Sequence, residues 1–235
     1  MKKKIIDSSP YGTKLNVNEW SKSRKKISDL YPSEKKFFLQ KIKLSNSFID
    51  IGCATGNFIN IISKYTKIKN YLGIDISKNM VDKAKLDFPH YDFKYYDGKE
   101  IIYNKKSDLV YSFGTLQYCN NYKEIISQMI SASKKFVIFD LRFSLDKDII
   151  NIKKSYQIIP HSKKKRLPYN ILNFPKFLDY IINTTKKKYK IEFFGYKNKP
   201  SPNIVTIHKK VYMLSILIDK TKNFELSINI NETKN

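Results

Sequence analysis

Apolar residues occur along this chain in short runs bounded by polar clusters, and the runs alternate with stretches of helical spacing. Ser47–Cys53, Tyr71–Ile76, Tyr91–Tyr96, Asp108–Phe113 and Lys135–Leu141 have the length and the β-branched or aromatic content of strands. Between them, Asn57 to about Tyr65 and about Tyr122–Ser131 read as helices. Met80, Val81, Ala84 and Leu86 follow Ser77, a side chain suited to capping a helix start. Upstream, Trp20, Ile27, Leu30, Tyr31, Phe37, Phe38, Leu39 and Ile42 are spaced for two short amphipathic helices around Pro32. Strands alternating with helices predict an α/β fold whose parallel sheet is covered on both faces.

The rhythm breaks after strand five. Residues 143–170 hold Pro160, the run Lys163-Lys164-Lys165-Arg166 and Pro168, followed by a helix-like segment, Tyr169–Ile182. Lys190–Tyr196 and Val211–Asp219 then read as two more strands, separated by Pro200 and Pro202. No linker marks off a second domain. Residues 1–235 are therefore expected to form one domain, with N-terminal helices in 1–44 and an insertion at 143–186.

Composition narrows the function less than it first suggests. The net charge of +24 would attract anions in general. However, lysine, isoleucine, asparagine, tyrosine and phenylalanine fill 127 of 235 positions, a set written in AT-rich codons. Only Arg24, Arg142 and Arg166 are arginines, against 42 lysines, although arginine is the residue that reads phosphates and bases bidentately. Nucleic acid is thus not the expected partner. Cys53 and Cys119 form no metal-binding or disulfide pattern, and a reducing cytoplasm is the expected location. No apolar run is long enough to span a bilayer, and Met1–Asp7 has no apolar core of a signal peptide.

The chemistry concentrates after the first strand. Phe48-Ile49-Asp50-Ile51 enters the turn Gly52-Cys53-Ala54-Thr55-Gly56, which opens a helix near Asn57 with unpaired N–H groups. At the end of the second strand stands Asp75. Bare backbone at the first turn and a carboxylate at the second suit a nucleoside. Glycine at 52 and 56 would let a ligand approach the backbone and permit positive φ.

The run Asp50-x-Gly52-x-x-x-Gly56 with Asp75 resembles the S-adenosylmethionine (SAM) site of class I methyltransferases, over roughly residues 45–142. The resemblance implies a Rossmann-like, doubly wound sheet of seven mostly parallel strands with an antiparallel C-terminal strand, N-terminal lid helices and a cap after strand five. It also implies SAM as cofactor, with S-adenosylhomocysteine as product. By the same resemblance, Asp50 helps hold the turn and the ligand's amino group, while Cys53, Ala54 and Asn57 belong to the turn; Ala54 stands where glycine is common. Asp75 takes the ribose hydroxyls, Ile76 and Met80 line the adenine, and Asp97-Gly98 lies near its amino group. Phe113 and Gly114 touch the cofactor. Ser112–Tyr118 is not the Asn/Asp-Pro-Pro-Tyr/Phe motif of many nucleic-acid methyltransferases and looks like that of small-molecule enzymes, with Gln117 and Tyr118 facing the substrate.

The expected acceptor is a small molecule methylated at oxygen or nitrogen; a sugar or nucleotide-sugar is one class in keeping with the resemblance. Tyr118, His161 and Asp140 are the candidate bases, and Arg142 a candidate orienter or anion clamp. The Lys163–Arg166 run would suit an anionic or phosphorylated acceptor. Tyr11, Trp20 and Tyr31 are placed to close over the site. No residue set suggests a catalytic metal. An RNA methyltransferase and a non-catalytic SAM-binding partner protein are the alternative readings.

Overall fold

The computed structural model describes residues 10–96, 106–162 and 164–232. It opens with α1 (Lys14–Trp20), where Thr13 Oγ1 accepts from the Asn16 N–H at 3.2 Å. A 3-10 turn at Ile27–Asp29 precedes α2 (Pro32–Ile42). Pro32 opens α2, because a first-turn proline sacrifices no helical hydrogen bond. There follow β1 (Ser47–Ile51), α3 (Phe58–Ile62), β2 (Asn70–Asp75), α4 (Lys78–Asp87), β3 (Asp92–Tyr95), β4 (Ser107–Ser112), α5 (Tyr122–Ala132) and β5 (Ser133–Ser144). The remainder holds β6 (Tyr156–Ile158), β7 (Arg166–Pro168), β8 (Leu172–Asn173), α6 (Phe174–Thr185), β9 (Lys190–Asn198), β10 (Ile204–Val205), β11 (Val211–Asp219) and β12 (Glu225–Glu232).

The main sheet runs β12-β9-β11-β5-β4-β1-β2-β3, with β8 beside the end of β5. Only β11 is antiparallel to its neighbours, β5 and β9. The seven strands read from the sequence are all present in this order, and β8 and β12 are additions to them. β12 alternates Leu226, Ile228 and Ile230, the pattern of a half-covered edge strand. α6 begins five residues later than its spacing suggested, because Asn173 Oδ1 caps it through the Lys176 N–H at 2.9 Å and Pro175 sits in its first turn. Between β5 and β11, β6, β7 and β10 make a separate three-stranded antiparallel sheet.

Two apolar layers cover the main sheet. On one face Ile125, Met129, Phe177 and Ile181 of α5 and α6 pack on Val137, Phe139 and Leu141. On the other, Phe37, Phe38 and Ile42 of α2, with Phe58, Ile61 and Ile62 of α3, pack on Phe48, Leu109 and Tyr111. Burying each such side chain stabilises the fold by about 1.5–3 kcal/mol, so the strand ends that carry the site rest on a stiff base.

A carboxylate lies in this core. Asp50 Oδ2 accepts from the Tyr71 hydroxyl at 2.7 Å and the Tyr111 hydroxyl at 3.0 Å, linking β1 to β2 and β4. Burial pushes the carboxyl up to about 7, against the pull of the two phenols. Its protons fix the sign of a pH effect. Below about pH 4 the acid is protonated in both folded and unfolded chains. Between about 4 and about 7 only the unfolded chain releases the proton, so stability falls as pH rises, and above about 7 the loss is complete. Comparing thermal or urea unfolding of the ligand-free wild type and Asp50→Asn at pH 5 and pH 8 isolates this group. Wild type is expected to lose about 2.7 kcal/mol relative to the variant across that interval, from ~1.36 kcal/mol for each of the two pH units between 5 and about 7. Parallel pH profiles would show that Asp50 is ionised at both values.

Candidate active site

The C-terminal ends of β1, β2, β4 and β5 surround a cavity of about 530 Å³. It lies where the chain winds away from β1 in opposite directions, toward β2 and toward β4, the place where open α/β sheets leave a crevice. Its size falls within the ~300–1,000 Å³ usual for small-molecule sites.

The turn after β1 makes one wall. Gly52 (φ +80°) and Cys53 donate their N–H groups to Ile74 O at 2.7 and 3.1 Å. Ala54, also at positive φ (+46°), donates its N–H to Asp75 Oδ2 at 2.9 Å, and Ser77 donates to Asp75 Oδ1 at 2.8 Å. One carboxylate therefore ties the turn to the end of β2 and the start of α4. A Cβ at Gly52 would stand 2.0 Å from Thr115 Oγ1, so the space over this turn is closed to any side chain. Thr55 Oγ1 is buried in the turn with no partner among the described residues.

Beyond Asp75, exposed Ile76 and buried Met80 line the cavity with Tyr96. After β4, Phe113 and Gly114 form the opposite side. Gly114 (φ +65°) donates its N–H to Asp140 Oδ1 at 2.6 Å. The other oxygen of Asp140 accepts from Arg142 Nη1 at 2.6 Å, and Arg142 Nε donates to the Tyr169 hydroxyl at 3.2 Å. Burial opposes the charge on Arg142, but Asp140, Tyr169 and Tyr118 together outweigh it and the guanidinium's pKa is raised. Burial also drives the Tyr118 phenol well above its usual range and Cys119 up to about 12. Both stay protonated at neutral pH.

The N-terminal segment lies across this cavity and is pinned at several points. Asn57 Nδ2 donates to Trp20 O and Ser23 O, both at 2.7 Å, and Asn79 Nδ2 donates to Gly12 O at 2.7 Å. The Tyr11 hydroxyl donates to Gln157 Oε1 on β6 at 3.1 Å. These ties bring Tyr11, Trp20, Arg24 and Tyr31 to the lining. Arg24 pairs with buried Glu34 at 2.7 Å and lies 5.6 Å from the centre of the Phe58 ring.

Of the residues singled out from sequence, Gly52, Cys53, Ala54, Asn57, Asp75, Ile76, Met80, Phe113, Gly114, Gln117, Tyr118 and Arg142 line this one cavity. Four are elsewhere, and one of them, Asp140, lies behind the lining, bound to Gly114 and Arg142. Asp50 is sealed beneath the turn by its two tyrosines, so it braces the strands. Gly56 (φ +79°) is required by its backbone and by Phe93, 2.9 Å from where its Cβ would be, and does not reach the cavity. His161 is exposed on the protein surface, with Nε2 2.8 Å from Glu19 Oε1. Asp97 and Gly98 lie outside the described residues. Lys164, Lys165 and Arg166 are exposed and contribute nothing to the lining, while Lys163 is outside the described residues. Sequence reasoning missed Arg24, Tyr96, Thr115 and Tyr169; the rarity of arginine was the one signal that pointed to Arg24. Among the described residues no helix is long and apolar enough to cross a membrane.

The chain is similar to several known proteins. The "Putative methyltransferase 235L" of Invertebrate iridescent virus 6 is 28% identical over 227 residues, covering 87% of this chain and 84% of that protein. A tRNA (guanine-N(7)-)-methyltransferase of Prochlorococcus marinus is 27% identical over 172 residues, 73% of this chain and 66% of the relative. The N-terminal domain of EvdMO1, solved with SAH bound, superposes with a TM-score of 0.57 at 11% identity, over 80% of this chain and 81% of that one. The methyltransferase domain family matches residues 23–152, from the segment pinned over the cavity through all five central strands. The chain belongs to that family and has the α/β fold of class I SAM-dependent methyltransferases.

Proposed function

We propose that the chain binds SAM along the Gly52–Asp75 side of the cavity and transfers its methyl group to an oxygen or nitrogen of a small molecule held on the Tyr118–Arg142 side. The observation that carries this reading is the pairing of Gly52 and Asp75 in one cavity that continues, without a break, to a second set of polar and aromatic side chains. The residues fit the cofactor. The bare Gly52 backbone accommodates its amino-acid portion, Asp75 can accept from ribose hydroxyls, and Ile76 and Met80 offer apolar contact to a base.

SAM supplies a methyl group on a positively charged sulfur, already activated for displacement. The protein's task is then alignment and exclusion of water. Trp20, Tyr11 and Tyr31 cover the cavity, and the small sheet of β6, β7 and β10 supplies Gln157, Leu167 and Ile204 to its far wall. We propose the N-terminal segment and this sheet as the acceptor's cap. Tyr118 serves as a hydrogen-bond donor, since its phenol stays protonated, and Asp140 is committed to Gly114 and Arg142. The acceptor atom is therefore positioned rather than deprotonated by these groups.

A second reading, methylation of RNA, has the +24 charge and the Prochlorococcus relative in its favour. It requires RNA binding that survives physiological salt, because lysine–phosphate contacts weaken steeply with added salt.

Calorimetric titration with SAM and with S-adenosylhomocysteine tests the cofactor site, and micromolar binding of both is expected. Asp75→Ala should weaken SAM at least tenfold, since it removes a charged acceptor from the ribose and frees the Ala54 and Ser77 N–H groups that shape the turn. Unchanged affinity would refute the ribose assignment. Gly52→Val is expected to abolish SAM binding in a protein whose circular dichroism remains folded; retained affinity would show that the ligand does not approach this backbone.

A further inference from the structure

Charge is distributed unevenly between the surface of this protein and its cavity. The chain has 42 lysines and 3 arginines. Among the described residues no lysine lines the cavity, whereas Arg24 and Arg142 both do. Each arginine is neutralised from behind by a buried carboxylate, Glu34 at 2.7 Å and Asp140 at 2.6 Å. The wall facing the acceptor is thus a cationic donor whose charge is already balanced.

Arg142 fixes what that wall can hold. Its Nε is used by Tyr169 and its Nη1 by Asp140 and Leu141 O, while Nη2 has no partner among the described residues. Arg142 lines the cavity, and an acceptor for this open N–H can be supplied there. Tyr169 accepts from Arg142 and keeps its own hydroxyl proton to donate. Tyr118, 6.1 Å from Tyr169 between ring centres, completes an aromatic wall.

We infer that the acceptor enters this half of the cavity as an uncharged ring-bearing group, with a carbonyl or hydroxyl oxygen held by Arg142 Nη2. The inference rests on the methyltransferase reading and narrows it. An anion here would lose its hydration and would meet Asp140 just behind the guanidinium, which cancels most of the attraction. An uncharged oxygen receives a charge-assisted hydrogen bond and gives up far less hydration. The exposed lysines do not alter this balance, because salt screens them over about 8 Å at physiological ionic strength. Their field acts on what approaches the protein, and the Arg142–Asp140 pair acts on what enters.

Benzamide and benzoate have nearly the same shape and differ in charge, so they serve as probes. Arginine-selective ¹⁵N labelling gives three Nε–H signals, one for each arginine, assigned with Arg24→Lys and Arg166→Lys. With S-adenosylhomocysteine saturating, the Arg142 signal should shift with benzamide, and benzamide should bind at least fivefold tighter than benzoate. Asp140→Asn unbalances the guanidinium and should reverse that preference. Benzoate binding as tightly as benzamide to the wild type, or an Arg142 signal that neither probe moves, overturns the inference. So does a folded Asp140→Asn that still prefers benzamide; if that variant does not fold, the wild-type comparison decides alone. Calorimetry on the same samples separates the two levels of argument. Absent S-adenosylhomocysteine binding refutes the methyltransferase reading itself, whereas binding accompanied by benzoate preference refutes only the uncharged acceptor.

Discussion

The carboxylate of Asp75 holds together the part of the protein on which everything else depends. The turn after β1 carries two glycines and an alanine at positive φ, a backbone with little tendency to stay in one shape. Two N–H bonds to Ile74 O pin its start to β2, and the Ala54 N–H reaches Asp75. Through Ser77, Asp75 also fixes the entry to α4. A ligand that occupies this turn therefore meets a backbone already ordered by the fold, and the entropy of ordering it does not oppose binding. The same economy limits mutation, because a change at Asp75 alters the shape of the turn and the entry to α4 together.

Asp140 does the corresponding work on the other side. It takes the Gly114 N–H with one oxygen and the Arg142 guanidinium with the other, so the loop after β4 and the far wall are set by a single side chain. Breaking such a buried pair by removing one partner leaves a charge without compensation, typically at ~3–5 kcal/mol. Two carboxylates at the ends of β2 and β5 thus frame the cavity from beneath. Asp50, lying between them in the sheet and accepting from the phenols of Tyr71 and Tyr111, braces the central strands.

Much of this was legible from local pattern. Strands β1 to β5 announced themselves as apolar runs because a parallel sheet is buried on both faces. Gly52 and Asp75 stood at the ends of those runs, where topology places a ligand. What could not be read was which way a side chain points once neighbouring strands are present. Asp50 shares its strand with residues that reach the cavity, yet its side chain meets Tyr71 and Tyr111, brought from 21 and 61 residues away. Gly56 has the same positive φ as Gly52 but faces Phe93. His161 sits beside a proline in a loop whose path only the small sheet defines. The three short strands of that sheet have too few residues to show any period, and β12 alternates clearly but carries half its pattern in solvent.

The charge of the chain shows how composition and site can tell different stories. Lysine is this chain's default cation, and a lysine can be accommodated wherever a flexible, hydrated point charge is harmless. Inside the cavity hydration is lost and geometry matters, and there a planar fork that stays ionised when buried is the better donor. Arg24 and Arg142 each meet that requirement with a carboxylate behind them. A net charge of +24 is consequently a property of the surface, relevant to encounter and solubility. Inside the cavity, the two lining arginines are already paired with carboxylates of the fold.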